Sequence, residues 1–493
     1  MGKAESLSSE LERSALVARL RKILPYEAVK THEEDLRPFE SDGLTAFRQM
    51  PLVVVLPQTE AQVQGVLKLC FELDVPVVAR GSGTGLSGGA LPHAQGVLLS
   101  LSKFMSILEI DSVARCARVQ PGVRNLAISE AVAPLGLYYA PDPSSQIACS
   151  IGGNVAENSG GVHCLKYGLT VHNILQLRVV TMEGEILEIG CEGLDSPGYD
   201  LLAVLTGSEG MLGVITEVTV KLLPRPQRAQ AILAAFNSVE QAGNAVAAII
   251  AAGIIPAGLE MMDRPAIRAA EEYVKAGYPV NAEAMLLCES DGSDEEVRDE
   301  IERMKTLLQN SGAFEVRFSQ DEAQRLKFWA GRKAAFPAVG RIAPDYYCID
   351  GTIPRKALAF VLRRITELSN AAGLEVVNVF HAGDGNLHPL ILFDGAKGEL
   401  AKTEELAGKI LELCVEVGGT ITGEHGVGVE KINQMCVQFG AEQLARFHGV
   451  KRAFDAKGLL NPGKAVPTLQ RCAEFGAMRV HHGELKFPEL PRF

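Results

Sequence analysis

The sequence predicts an α+β protein of more than one domain, and three observations carry that expectation. The chain has 493 residues, well beyond the ~250–300 at which a single hydrophobic core stops growing. Residues 51–226 open on a strand–helix–strand pattern and then carry three glycine-dense loops. Beyond the linker signal Pro224-Arg225-Pro226 the pattern changes to longer alternating strands and helices, as expected of an antiparallel sheet with helices on one face.

Residues 1–50 read as a polar helical lead-in, SSELERSALVARLRKIL, and an irregular segment. LVVVLP after Pro51 is a short apolar strand, and Thr59-x-x-Gln62 is a capping-box opening. Val63, Val66, Leu67 and Cys70 follow at the spacing of one helix face. VPVVAR is the next strand. Strands at 96–101 and 105–111, a helix near 123–135 and a Gly/Asn-rich segment at 149–161 come after it. A hairpin at 176–189 turns on Glu183-Gly184, and a strand at 213–222 closes the unit. Past the linker, strands fall near 229–236, 284–290, 313–318, 346–353 and 374–394. Helices fall near 239–252, 294–310, 321–335, 355–372, 398–417 and 441–457. The expected division is a lead-in (1–50), a cofactor domain (51–226), a substrate or cap domain (227–420) and a C-terminal segment with a tail (421–493). The longest uncharged stretch, Gln241 to Leu259, is broken by Gly253, Pro256 and Gly258, so it reads as a buried helix and turn rather than a membrane span.

The formal net charge is −12, from 48 basic and 60 acidic residues, with no lysine/arginine block. Nucleic acid is therefore not an expected partner, nor is an electrostatic membrane anchor. Ten cysteines are scattered singly with no C-x-x-C pair. That spacing encodes neither an iron–sulfur cluster nor a cysteine zinc site, and it predicts reduced thiols in a cytoplasmic protein.

ARGSGTGLSGGALP contains Gly83-x-Gly85-x-x-Gly88, which satisfies the dinucleotide fingerprint. That mechanism needs a helix opening directly behind the loop to receive the pyrophosphate. Here Gly89 and Leu91-Pro92 intervene and the strand GVLLSL follows, so the nicotinamide reading is rejected. Glycines without Cβ can instead let several peptide N–H groups converge on a phosphate. PDPSSQIACSIGGNVAENSGG and LTGSEGMLGVITEV offer two further close backbone approaches.

PVVARGSGTGLSGG, CSIGGNVAENSGG and GSEGMLGVITEVTVKLLP resemble the FAD-binding domain of the vanillyl-alcohol-oxidase/p-cresol-methylhydroxylase superfamily. The later FHAGDGNLHPL, TGEHGVG and GLLNPGK are similar to its 2-hydroxyacid dehydrogenase branch. The resemblance implies a two-part FAD-binding domain and an antiparallel-sheet cap. By it Arg80, Gly81, Ser82, Gly83, Thr84, Gly85, Gly88 and Gly89 would hold the pyrophosphate. Gly152, Gly153, Asn154 and Asn158 would lie near the isoalloxazine, with Gly210 and Gly213 on the adenine side. Pro141, Asp142, Gly160, Ile215 and Asn461 complete the implied cofactor set. Covalent members commonly carry a histidine in the glycine loop; Thr84 and Leu86 stand there in this chain, so non-covalent FAD is expected.

His381 and His388 flank Gly383-Asp384-Gly385-Asn386. Asp384-Gly385 is a two-residue hairpin signal between apolar strands. Pairing across that turn couples 383 with 386, 382 with 387, and 381 with 388. The histidines become direct cross-strand partners with Cβ atoms roughly 4.5–5.5 Å apart, able to reach one metal at about 2.0–2.1 Å each. GGTITGEHGVG offers Glu424 and His425 as a third ligand, and spacing does not choose between them. The resemblance does: it implies Glu424 as ligand and His425 as catalytic base. Such a set suits zinc, with iron(II) or manganese as alternatives.

An ordinary imidazole pKa of about 6.5 suits His425 for accepting a hydroxyl proton near neutrality. Arg332, in KFWAGRKAAF, is the candidate cation for a substrate carboxylate, with Lys333 its rival. The resemblance implies FAD-dependent oxidation of glycolate or a D-lactate-type 2-hydroxy acid. It also implies a second FAD-type subunit and an iron–sulfur subunit that pass electrons to quinone at the cytoplasmic face of the inner membrane. The tail from Arg471 is a candidate docking segment. A stand-alone D-lactate or D-2-hydroxyglutarate dehydrogenase is the alternative, and a non-catalytic FAD-binding relay subunit is the alternative of another class.

Overall fold

The computed structural model describes residues 2–193, 198–468 and 471–472, with the side chains of 2–10 left aside. The tail beyond Cys472, where the docking segment was expected, lies outside the described residues.

The cofactor unit consists of two sheets. In the first, Val53–Val55 and Val77–Arg80 both run parallel to the central Val97–Ser100, and Val29–Lys30 adds an antiparallel edge. Helix Glu60–Glu72 crosses between Val53–Val55 and Val77–Arg80. Thr59 caps it by accepting from the Gln62 N–H, and Val63, Val66, Leu67 and Cys70 are fully buried on the face the spacing predicts. Helix Gly2–Leu20 lays Leu16, Val17 and Leu20 on the same core.

The second sheet is antiparallel and five-stranded, in the order Ile107–Asp111, Cys116–Val119, Val214–Lys221, Ile174–Val180, Ile186–Gly190. Helices Asn125–Val132 and Ile151–Glu157 pack on one of its faces. The second of these lies inside the Gly/Asn-rich segment. Adjacent glycines are poor helix formers, but buried Ile151 and Val155 anchor the turn.

The cap is a seven-stranded antiparallel sheet in the order Glu315–Phe318, Arg228–Phe236, Ala284–Gly292, Gly258–Asp263, Val376–Phe380, Pro389–Phe393, Asp345–Cys348. Its helices lie on both faces, which corrects the expectation of one. Val239–Ala251, Asp294–Asn310, Leu358–Ala372 and Leu400–Glu416 share one core, while Arg264–Val274, Glu322–Lys333 and Ala335–Val339 share the other. Side chains along Arg228–Phe236 alternate accordingly, Ile232 and Ala234 to the first core, Leu233 and Ala235 to the second.

Strand Gly258–Asp263 and helix Arg264–Val274 have no counterpart in the sequence reading. Buried Glu260 and Asp263 interrupt the apolar run, although Asp263 caps the helix and Pro265 stands in its first turn.

A second correction concerns the thiols. Cys436 and Cys472 form a disulfide with Cα atoms 5.4 Å apart. A separation of 36 residues leaves no local signal of that pairing. Near the C-terminus the chain returns to the first sheet: Val77 N–H donates to Leu459 and Asn461 N–H donates to Val77. Among the described residues no helix is long and apolar enough to cross a membrane.

Candidate active site

A cleft is lined by residues of both sheets of the cofactor unit, and Glu424 and His425 line it as well. Arg80, Gly81, Ser82, Gly83, Thr84, Gly85 and Gly89 form one wall. Gly152, Gly153 and Asn154 form a second, and Gly210, Gly213 and Ile215 a third. The loop geometry needs its glycines. Gly83 has φ +71°, and a Cβ there would strike the Arg80 guanidinium; a Cβ on Gly152 would strike Pro121. Among the described residues, the peptide N–H groups of residues 81–85 have no backbone carbonyl partner, so they are available to a phosphate. Ser150 Oγ and Glu157 Oε2 are buried on the wall without hydrogen-bond partners. These features fit an FAD pyrophosphate and ring. Ser144, Ser145, Ser208 and Glu209 also line the cleft and were not foreseen.

The remaining expected cofactor residues stand behind the wall. Asn461 donates to Gly89 and Glu209 carbonyls, and Gly88 packs on Val429. Pro141 accepts from Asn125, Asp142 pairs with His163 at 2.8 Å, and Asn158 ends helix Ile151–Glu157 in a left-handed turn and accepts from Val171. Gly160 donates its N–H to Glu424 Oε2 at 3.1 Å.

The histidines come together by a register different from the expected one. Asn378 pairs with Pro389, and His381 bridges to Asn386 rather than to His388. The His381 N–H donates to Asn386, and Gly385, at φ +80°, returns its N–H to the His381 carbonyl. This longer turn shifts the pairing by two residues, and a shift of two preserves the face. His381 and His388 therefore meet diagonally, ring centroids 5.1 Å apart.

Glu424 Oε1 lies 3.3 Å from His381 Nε2 and 3.0 Å from His388 Nε2. Ligand atoms of the three residues fall within 4.8 Å of one another, so one ion could be held between them. Behind His381, Glu260 Oε1 sits 2.7 Å from Nδ1, and its Oε2 accepts from Arg332 Nε at 2.8 Å. A carboxylate at Nδ1 fixes the tautomer that presents Nε2 to a metal. Burial opposes charge on His381, but Glu260 and Glu424 outweigh it and raise its pKa well above the usual range. Burial likewise opposes Glu260's charge, and His381 and Arg332 overcome it, holding its pKa below the ordinary value.

His425 lines the cleft and stacks on His388 at 4.9 Å. Burial pushes its pKa down to about 4, against the pull of Asp350, so its imidazole is not the ordinary one expected. Asp350 holds the ligand loop: its Oδ2 accepts from the N–H groups of Gly423 at 3.0 Å and His425 at 2.9 Å, and from the Thr422 hydroxyl. Neither Glu260 nor Asp350 was foreseen; the available signal was an acid alone inside an apolar strand run, AGLEMM and YCIDG. Arg332 is buried on Glu260, while Lys333 is exposed. Asp384 stays in the turn, with burial pushing its pKa up to about 6.

Residues 51–190 match the FAD binding domain family and residues 225–465 match the FAD linked oxidases C-terminal domain family. Among curated proteins, the chain is 64% identical to glycolate oxidase subunit GlcD of Escherichia coli (strain K12), over 98% of this chain and 97% of that protein. It is 33% identical to a D-lactate dehydrogenase of Anaerostipes hadrus, over 91% and 96%. Among solved structures, p-cresol methylhydroxylase with substrate bound superposes with a TM-score of 0.77 at 18% identity, covering 93% of this chain and 97% of that one. An alkyldihydroxyacetonephosphate synthase superposes with a TM-score of 0.73 at 17% identity, covering 91% and 86%. Glycine-walled cleft, flanking sheets and sequence identity agree: the chain belongs to the FAD-linked oxidases and is an FAD-dependent oxidoreductase.

Proposed function

We propose that this chain oxidises glycolate, and D-lactate-type 2-hydroxy acids, to the 2-oxo acid as the flavin-carrying subunit of a larger complex. One observation carries the reading: His425 and Glu424 line the FAD cleft while Glu424 also joins His381 and His388. A base and a cation site on the wall of a flavin cleft suit an alcohol bearing a carboxylate, and a bare electron relay has no use for them.

When bound, non-covalent FAD supplies the two-electron acceptor and a divalent metal, zinc by its donor set, supplies Lewis acidity at the substrate hydroxyl. His381, His388 and Glu424 hold that metal, with Glu260 fixing the His381 tautomer. His425 is neutral at pH 7 and receives the hydroxyl proton; the neighbouring Asp350 carboxylate stabilises the imidazolium that forms. Arg332 steers the substrate carboxylate with the N–H groups that Glu260 does not engage. Cys348, at the same end of the cap sheet, lies beside His388 and His425.

The name of the 64% identical relative, a glycolate oxidase subunit, supports partner subunits. We take these to be a second FAD-type and an iron–sulfur protein, placing the chain on the cytoplasmic face of the inner membrane. Anaerobic addition of glycolate, D-lactate or D-2-hydroxyglutarate to the purified chain tests the activity. Bleaching of the flavin band by glycolate is expected. A band that no hydroxy acid bleaches, even with the partner subunits present, refutes the reading.

A further inference from the structure

We propose that Cys348, His388 and His425 form a second metal position, one for thiophilic divalent cations such as excess zinc or cadmium, distinct from the His381–His388–Glu424 position. The Cys348 sulfur and one ring nitrogen of each histidine lie within 4.8 Å of one another. Ligands at about 2.0–2.3 Å from a common ion need that kind of spacing, closed by small side-chain shifts. The group is enclosed: Cys348 is 4% exposed and His388 2%.

A second observation points to a ligand. Nδ1 of His388 and Nδ1 of His425 are both buried without a hydrogen-bond partner. Native interiors rarely leave such groups unsatisfied. Nε2 of His388 already faces Glu424 at 3.0 Å, so Nδ1 is the nitrogen left for a different ion. The Cys348 thiol makes only a weak contact, 3.6 Å to the Ile349 carbonyl. Sulfur selects the class of cation, because thiolate with imidazole suits zinc and its heavier congener, whereas magnesium, calcium and manganese favour oxygen.

With the first position empty, His388 Nε2–H faces Glu424 and Nδ1 offers its lone pair, so binding exchanges the S–H bond for a sulfur–metal bond and releases one proton to solvent with no electron transferred. With both positions filled, His388 bridges as imidazolate and a second proton leaves. An ion there engages His425 and His388 together. Such an ion would block His425 and so inhibit oxidation of the hydroxy acid. The position itself stands on the geometry, and only this inhibition rests on the reading of His425 as base.

The test uses the purified flavoprotein, cleared of metal with a chelator and titrated with cadmium chloride. An ultraviolet cadmium–thiolate band is expected in the wild type and in His381→Ala, and is lost in Cys348→Ser and Cys348→Ala, with the visible flavin spectrum reporting that each variant is folded. A band that survives both Cys348 variants overturns the proposal. X-ray absorption on cadmium-loaded wild type decides the matter without any variant, since a shell of nitrogen and oxygen alone also overturns it. Glycolate bleaching is scored separately. A cysteine-dependent band in a chain that no hydroxy acid reduces sinks the proposed activity and leaves the metal position standing.

Discussion

Glu260→Gln is the most discriminating change. Glu260 is 1% exposed and spans two partners, His381 Nδ1 at 2.7 Å and Arg332 at 2.7–2.8 Å. The amide keeps the shape and one acceptor but removes the charge. Two separate losses follow. Leaving the Arg332 guanidinium buried without its counter-ion costs about 3–5 kcal/mol, lowering the thermal midpoint. Releasing His381 from its carboxylate weakens metal binding about 10–100-fold, which corresponds to about 1.4–2.8 kcal/mol. The combined variant Glu260→Gln with Arg332→Met separates them, because removing both charges leaves no buried ion without a counter-ion. Thermal stability should recover in that variant while metal affinity stays weak. Competition against a chelator of known affinity measures the binding and thermal scanning measures the stability. Unchanged affinity in Glu260→Gln, or affinity that recovers together with stability, would refute the orienting role.

Three further outcomes are expected. His388→Ala should lose metal and glycolate bleaching yet retain the flavin spectrum; retained turnover would end the metal role. Gly83→Val should lose flavin, read as the ratio of visible to ultraviolet absorbance, because its left-handed φ of +71° and the adjacent Arg80 leave no place for a branched side chain. Asp263 has its pKa pushed up to about 6 by burial. The folded chain then binds more protons than the unfolded one between about pH 4 and 6, so this group's contribution to stability falls as pH rises through that window. Thermal midpoints across that range should slope less in Asp263→Asn, and an identical slope would count against it.

What could be read from the sequence depended on whether the deciding interaction was local. Helix Glu60–Glu72 carries its own cap and its own apolar face, so Thr59, Gln62 and the four buried residues announce it. The glycine loop is legible for a similar reason, since the missing helix behind Gly88 excludes one cofactor mechanism without reference to the rest of the chain. The disulfide, the strand around Glu260 and the role of Asp350 are settled by partners 36, 121 and about 75 residues away, and no window of sequence contains them. The histidine hairpin lies between these cases. The sequence predicts a two-residue turn, whereas Gly385 closes a longer one onto His381. The conclusion that the two rings share a face survived because the slip was an even number of residues. A slip of one would have put the rings on opposite faces of the sheet.

The loop Thr422–Glu430 explains how two parts of the chain act as one site. Its ligand and its base, Glu424 and His425, are adjacent, and the bend over residues 423–425 brings Glu424 Oε1 within 3.9 Å of His425 Nε2. Both side chains converge on His388, the carboxylate at 3.0 Å from its Nε2 and the imidazole stacked on its ring, and both line the cleft. Such an arrangement works only if the backbone is held from both sides. Asp350 of the cap receives the N–H groups of Gly423 and His425. From the cofactor unit, Glu209 receives those of Val427 and Gly428 at 2.6 Å, and the Ser87 carbonyl those of Val429 and Glu430 at 3.0 and 3.1 Å. Gly160 fastens the Glu424 carboxylate itself. The spacing between base, cation site and flavin cleft is thus set by hydrogen bonds to this one loop. A single-residue insertion between Glu424 and Val427 should therefore abolish bleaching by glycolate while both sheets, and the flavin they carry, remain in place. Visible absorbance and anaerobic reduction measured on the same sample would separate those outcomes, and insertion variants that still reduce would show that the loop does not set the geometry.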